Sequence, residues 1–91
     1  MEDVYCEIVF FEGRVQGVGF RYTVAQIATE YEVAGFVSNM VDGRVYLEAE
    51  GRKEEVNGFI ASIQERMHGY IRKAERNERK RPPEFSGFAV R

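Results

Sequence analysis

Apolar residues fall in short stretches along this chain, and their spacing switches between the period of a strand and that of a helix. Val4–Phe11 is β-branched and aromatic and stops at Glu12-Gly13, which predicts a strand. Both of its alternating faces are partly apolar, Cys6, Ile8 and Phe10 against Tyr5, Val9 and Phe11, so periodicity leaves open which one meets the core. Beyond a glycine-rich stretch at Gly13–Gly19, apolar positions recur at Phe20, Val24, Ile27, Ala28 and Tyr31, the spacing of one helix face. Two short strands follow, Gly35–Met40 and Arg44–Glu50, joined through Val41-Asp42-Gly43; an Asp-Gly pair between apolar runs is a strong hairpin signal. Val45, Leu47 and Ala49 alternate there with Tyr46, Glu48 and Glu50. Val56, Phe59, Ile60, Ile63 and Met67 then mark a second amphipathic helix over Lys53–Met67, with Gly58 inside it.

Residues 70–81, YIRKAERNERKR, pull two ways. Their propensities favour helix, and Glu75 to Arg79 is a favourable i,i+4 pair. The surrounding pattern favours a charged edge strand over Tyr70–Glu78, because charge on an edge deters edge-to-edge pairing. Pro82-Pro83 ends that segment, and Phe85–Val90 predicts a short terminal strand. The order βαββαβ, with its C-terminal strand, predicts an α+β, ferredoxin-like sandwich: an antiparallel sheet with two helices on one face. At 91 residues, without internal repeat or low-complexity linker, one domain over 1–91 is expected.

Charge narrows the partners. The formal net charge is only −2, which gives no reason to expect nucleic acid or a membrane surface. Residues 1–45 hold three basic side chains (Arg14, Arg21, Arg44) against seven acids, and two of those arginines lie in the glycine-rich stretch. The later run Arg72, Lys73, Arg76, Arg79, Lys80, Arg81 is offset by Glu75 and Glu78 and lacks interleaved aromatics, so it reads as a solvated edge. Cys6 is the sole cysteine and His68 the sole histidine, so neither a disulfide framework nor a spaced metal-ligand set is present; Cys6 reads as a small strand hydrophobe. No apolar run approaches the ~20 residues of a membrane span, and the N-terminus lacks the signature of a signal peptide. A cytoplasmic monomer without metal or cofactor is expected.

The candidate chemistry lies in Gly13-Arg14-Val15-Gln16-Gly17-Val18-Gly19-Phe20-Arg21, between a strand and a helix. Its glycines permit backbone angles that aim several N–H groups at one point, an anion nest. The following helix adds its unpaired N–H groups and positive dipole end, and Arg21 a planar fork suited to phosphate or carboxylate. On glycine count alone, a tight connection with a solvated arginine is an equal reading. Nucleotide loops do not fit: Gly-Lys-Ser/Thr is absent, and Tyr22 stands where the dinucleotide fingerprint needs glycine. Asn39, just before a hairpin turn, reads on its own as an ordinary turn residue.

GRVQGVGFR at 13–21 and GFVSN at 35–39, followed by Asp42-Gly43-Arg44-Val45 and Gly51, resemble the two signature motifs of the acylphosphatases, and FSGFAVR at 85–91 is similar to their ending. The chain departs from that pattern at Phe11, Glu32 and Ser38, lacks tryptophan and matches poorly over 68–81. The resemblance implies a small-molecule acyl phosphate as substrate and inorganic phosphate as product and inhibitor. It implies that the amides of Val15, Gln16, Gly17, Val18, Gly19 and Phe20, with Arg21, bind the phosphoryl oxygens, and that Asn39 positions the attacking water. The runner-up is a non-catalytic anion- or RNA-binding module of the same fold, with Phe10 or Phe11 and Tyr46 as base-stacking platforms. A third, a domain like the N-terminal part of larger carbamoyl-transfer maturation proteins, is disfavoured by the chain's length.

Overall fold

The computed structural model describes residues 2–91. Strand β1 (Val4–Gly13) leads through the glycine loop into helix α1 (Phe20–Ala28). Strands β2 (Val33–Asn39) and β3 (Val45–Gly51) form the expected hairpin, followed by helix α2 (Lys53–Arg66), edge strand β4 (Ile71–Arg81) and terminal strand β5 (Phe88–Val90). The sheet order is β4-β1-β3-β2-β5. β4, β1, β3 and β2 pair antiparallel, as the βαββαβ order predicts; β5 is added parallel to β2, so the whole sheet is mixed.

Both helices pack on one face. Val9 and Phe11 of β1, Val37 of β2 and Leu47 of β3 are wholly buried against Val24 and Ile27 of α1 and Phe59 and Ile63 of α2. That settles the ambiguity of β1: the odd-numbered set faces the helices. Each such side chain contributes about 1.5–3 kcal/mol by leaving water. Gly58 is explained by packing, since a Cβ there would come within 2.9 Å of the Tyr31 ring. α2 also carries Glu54 and Glu55 in its first turn, where the positive end of the dipole favours acids.

The far face of the sheet is not bare. Phe10, Tyr46 and Phe36 form a ladder across β1, β3 and β2, with centroids 5.4 and 5.5 Å apart. The Arg44 guanidinium lies 4.7 Å over Phe10 and that of Arg91 4.0 Å over Phe36. Beside them Arg81 bridges Glu48 and Glu50 and reaches Sγ of the buried Cys6 at 3.1 Å. Glu50 also accepts the N–H groups of Glu84 and Phe85, which pins the segment after β4 beneath the sheet. Phe85 is therefore a packing residue in a loop, and the terminal strand is shorter than the expected Phe85–Val90.

The sheet directions decide what meets at one end. β1 and β2 finish there, β3 and β4 begin there, and parallel β5 runs toward it. The loop 14–19, the turn after Asn39, the start of α1 and residue Arg91 are thereby gathered at a single edge.

Candidate active site

The loop is tied down at both ends and by two side chains. Arg14 N–H donates to the Tyr70 carbonyl at 2.9 Å, and Val15 and Phe20 are 1% exposed, so they anchor the loop to the core. Phe20 packs against Phe11 with ring centroids 5.4 Å apart. Gly17 and Gly19 hold φ of 77° and 75°, while Val18 between them stays at negative φ. That alternation is the geometry in which successive N–H groups turn toward one centre. Neither glycine is forced by crowding, since a Cβ at either would meet nothing within 4 Å. Their role is conformational. Gly35, in the second motif, is the opposite case: a Cβ there would fall 1.8 Å from the Glu48 carbonyl, so the glycine lets β2 approach β3.

Gly19 is also the N-cap of α1 and provides no capping side chain. From Val15 to Tyr22, no main-chain N–H has an acceptor within the protein among the described residues. The first internal donor of the helix is Thr23, whose N–H and hydroxyl both donate to the Gly19 carbonyl at 3.1 and 3.0 Å. No acid occupies the first turn of α1. Unpaired N–H groups over a helix N-terminus make a site for an anion.

Arg21 lies in that first turn, half-buried, and its Nη1 donates to the main-chain oxygen of Arg91 at 2.8 Å. Arg91 is itself fixed, its N–H donating to the Val37 carbonyl at 2.8 Å and its guanidinium stacked on Phe36. One edge of the Arg21 fork is thus taken by an orienting contact. Asn39 ends β2, opposite Val45. It shares the alternation of Val37, so it faces the helix side of the sheet, where it is exposed and its amide has no partner among the described residues. The Gln16 side chain donates to the carbonyls of Met40 and Arg44 at 2.8 and 3.0 Å, joining the loop to the turn beside Asn39.

The structure thus brings Val15–Phe20, Arg21 and Asn39 to one end of the sheet. Two features were not read from sequence: the Gln16 carboxamide as a tie and Arg91 as the acceptor that orients Arg21. Both depend on contacts between segments 24 and 70 positions apart, for which the chain offers no local signal. Elsewhere, a concavity of about 620 Å³ opens at the other end of the sheet, near Asp3, Tyr5, Arg52, Lys53 and Lys80. Its charges are mixed, with Arg52 3.3 and 3.5 Å from Glu32 and Glu54, so it offers no convergent anion site. His68 is exposed near the end of α2, with Nδ1 3.3 Å from the Glu65 carbonyl. Among the described residues no three His, Cys, Asp or Glu side chains are placed to hold a metal, and no helix is long and apolar enough to cross a membrane.

Fold and site together define a ferredoxin-like α+β sandwich with a glycine-bent strand-to-helix loop whose main-chain N–H groups from Val15 onward have no acceptor among the described residues. Comparison with known proteins carries this further. The acylphosphatase family model matches residues 7–90. The acylphosphatase of Methanospirillum hungatei is 38% identical over 86% of this chain and 84% of its own length. The acylphosphatase of Bacillus subtilis superposes with a TM-score of 0.85 over 94% of this chain and 97% of that one, at 28% identity. HypF of T. kodakarensis is similar over 96% of this chain, which spans 12% of that protein, with a TM-score of 0.82 and 28% identity. The chain belongs to the acylphosphatase family and is an enzyme of that class.

Proposed function

We propose that this enzyme hydrolyses small-molecule acyl phosphates, with the amides of Val15–Phe20 and Arg21 holding the phosphoryl group and Asn39 orienting the water. The observation that carries the reading is the run of unpartnered N–H groups from Val15 to Tyr22, lying at the same sheet end as Arg21 and Asn39. Water attacks phosphorus in line with the acyl oxygen. The P–O bond to the acyl group breaks, and its electron pair leaves with the carboxylate. The carboxylate is a weak base, so departure needs no strong acid, and a phosphoryl oxygen takes the water's proton. What remains is positioning and stabilisation of the equatorial oxygens, which fixed N–H donors and a guanidinium supply. The Asn39 amide offers the water both a donor and an acceptor.

The same reading takes the enzyme to be a cytoplasmic monomer. Its only thiol, Cys6, is buried and unpaired, and its outer strand β4 is lined with charge, which opposes edge pairing. The RNA-module alternative is disfavoured because Phe10 is covered by Arg44, Tyr46 is packed between Phe10 and Phe36, and Phe11 is in the core.

The test is steady-state hydrolysis of benzoyl phosphate with inorganic phosphate as inhibitor. Phosphate is expected to compete with substrate. Arg21→Ala should lose phosphate inhibition and about 10³-fold in rate, by analogy with arginine in phosphoryl transfer. Asn39→Ala should lower kcat by about 10²–10³-fold, the scale of one oriented donor, with phosphate inhibition nearly unchanged. Near-normal turnover of Arg21→Ala, or equal loss of phosphate affinity in Asn39→Ala, contradicts the assignment.

A further inference from the structure

Gln16 has a side-chain role separate from its main-chain N–H. Its Nε2 lies 2.8 Å from the Met40 carbonyl and 3.0 Å from that of Arg44. Both partners are acceptors only, which fixes the orientation of the amide: the nitrogen faces the turn. Each carbonyl already takes one main-chain bond, Met40 from Gly43 N–H at 3.1 Å and Arg44 from Met40 N–H at 2.8 Å. Gln16 fills the second lone pair of each. A primary amide, with two N–H groups on one planar nitrogen, suits a pair of carbonyls that face each other across a tight turn.

The turn is rigid within itself but weakly held from outside. Asp42 accepts from the Arg44 N–H at 3.1 Å and from its Nε at 2.9 Å, closing the turn internally. Val41 at the tip is fully exposed, so no packing holds it. The Arg44 guanidinium lies over Phe10, on the far face of the sheet. Among the described residues, the bonds from Gln16 are the only hydrogen bonds between loop 14–19 and the turn 40–44.

We infer that Gln16 is a positioning residue: its carboxamide locks the β2–β3 turn to the anion loop and so sets the separation between Asn39 and the phosphorus. This rests on the roles given above to the loop and Asn39. Phosphate is held by main-chain N–H groups and Arg21, all on the loop and α1. The water is held by Asn39, on the hairpin. These two bodies are joined by the β1–β3 pairing, which ends at Phe11↔Val45, and by Val37 of β2 packed against α1. At the β2–β3 turn itself, the hydrogen-bonded tie to the loop among the described residues is Gln16. Releasing the tie lets the hairpin end move against the loop while the anion donors stay put. A misplacement of about 1 Å costs up to about 10²-fold in rate, because attack depends on alignment.

The experiment is a double-mutant cycle on the full chain with benzoyl phosphate, using Gln16→Met, which keeps length and volume but removes both donors. Expected is a kcat about 10–100-fold down, inhibition by inorganic phosphate changed less than about threefold, and no further loss when Gln16→Met is placed in an Asn39→Ala background. A residue already removed cannot be misplaced. A purely structural role for Gln16 gives losses that multiply in the double variant, and a loop-shaping role weakens phosphate inhibition in step with rate. Either result, or an unchanged kcat, overturns the inference. If Asn39→Ala alone keeps full rate, the water-positioning reading falls first; if it loses rate and Gln16→Met does not, only the inference falls. Should Gln16→Met not fold, Gln16→Asn, whose amide stops one methylene short of the turn, gives the same comparison.

Discussion

Arg76→Met probes how this thin domain holds a buried charge. Glu7, on the helix side of β1, is 2% exposed, and Arg76 of β4 grips it with Nε and Nη2 on its two carboxylate oxygens. Tyr5 O–H adds a third donor at 2.6 Å. Burial pushes the Glu7 carboxyl up, but the hydrogen bonds from Arg76 and Tyr5 and the Arg76 charge outweigh it and hold it below its ordinary 4.5. Removing one partner of a buried pair costs about 3–5 kcal/mol. Arg76 is 35% exposed, so water screens part of that, leaving about 2–3 kcal/mol. At about 4–8 °C per kcal/mol for a domain of this size, Tm at pH 7 should fall by roughly 8–24 °C. The sign of the pH dependence is fixed. In the parent, the lowered carboxyl contributes stability above about pH 4.5 that is lost as pH falls through its folded value. In the variant the Arg76 hydrogen bonds and charge are gone, and only Tyr5 O–H and the Lys53 charge are left to oppose burial. The carboxyl then rises from its parent value, a penalty present at neutral pH and relieved on acidification. The gap between the two proteins, followed by thermal unfolding in circular dichroism, should therefore narrow from pH 7 to pH 4. A Tm gap that is small at pH 7, or constant down to pH 4, refutes the reasoning. Activity should be unchanged, since Glu7 precedes the loop by about 20 Å of strand.

Two glycine variants separate conformation from crowding. Gly19→Ala meets no atom but must hold a left-handed backbone, so it should cost about 1–2 kcal/mol in unfolding free energy. Its inhibition by phosphate should weaken about tenfold as the following N–H groups turn away; unchanged inhibition would show that the nest does not depend on that angle. Gly35→Ala drives a methyl into the Glu48 carbonyl and should cost at least about 3 kcal/mol, read as a loss of cooperative unfolding near physiological temperature. A stable Gly35→Ala protein would contradict the close approach of β2 and β3.

Sequence reached the helices, the hairpin and the site loop because each is written in local chemistry. Phe20, Val24 and Ile27 are spaced for a helix face, Asp42-Gly43 for a hairpin, and Gly17 and Gly19 for a bent loop. β4 was harder, and the structure gives the reason. Ile71 and Ala74, three apart, both pack on the core, a helical spacing. They do so in a strand because the register shifts between Glu12 and Gly13: Lys73 pairs with Glu12 and Ile71 with Gly13, leaving Arg72 as the extra residue of a bulge. The bulge hides the strand period. The face of β1 stayed ambiguous for a similar reason, since Phe10 is covered by Tyr46 and Arg44 on the side away from the helices. At the site, main-chain donors were legible from glycine, while the ties through Gln16 and Arg91 join segments remote in sequence.

Central to the account is a phosphate held by backbone N–H groups of the first motif with a guanidinium beside them. Titration of the ¹⁵N-labelled chain with inorganic phosphate, followed by NMR, tests it most directly. The account predicts that the amide signals of Val15 to Tyr22 and Nε–H of Arg21 shift together along one saturable curve. Shifts centred instead on Arg52, Lys53 and Lys80, or none at the loop at saturating phosphate, would contradict it.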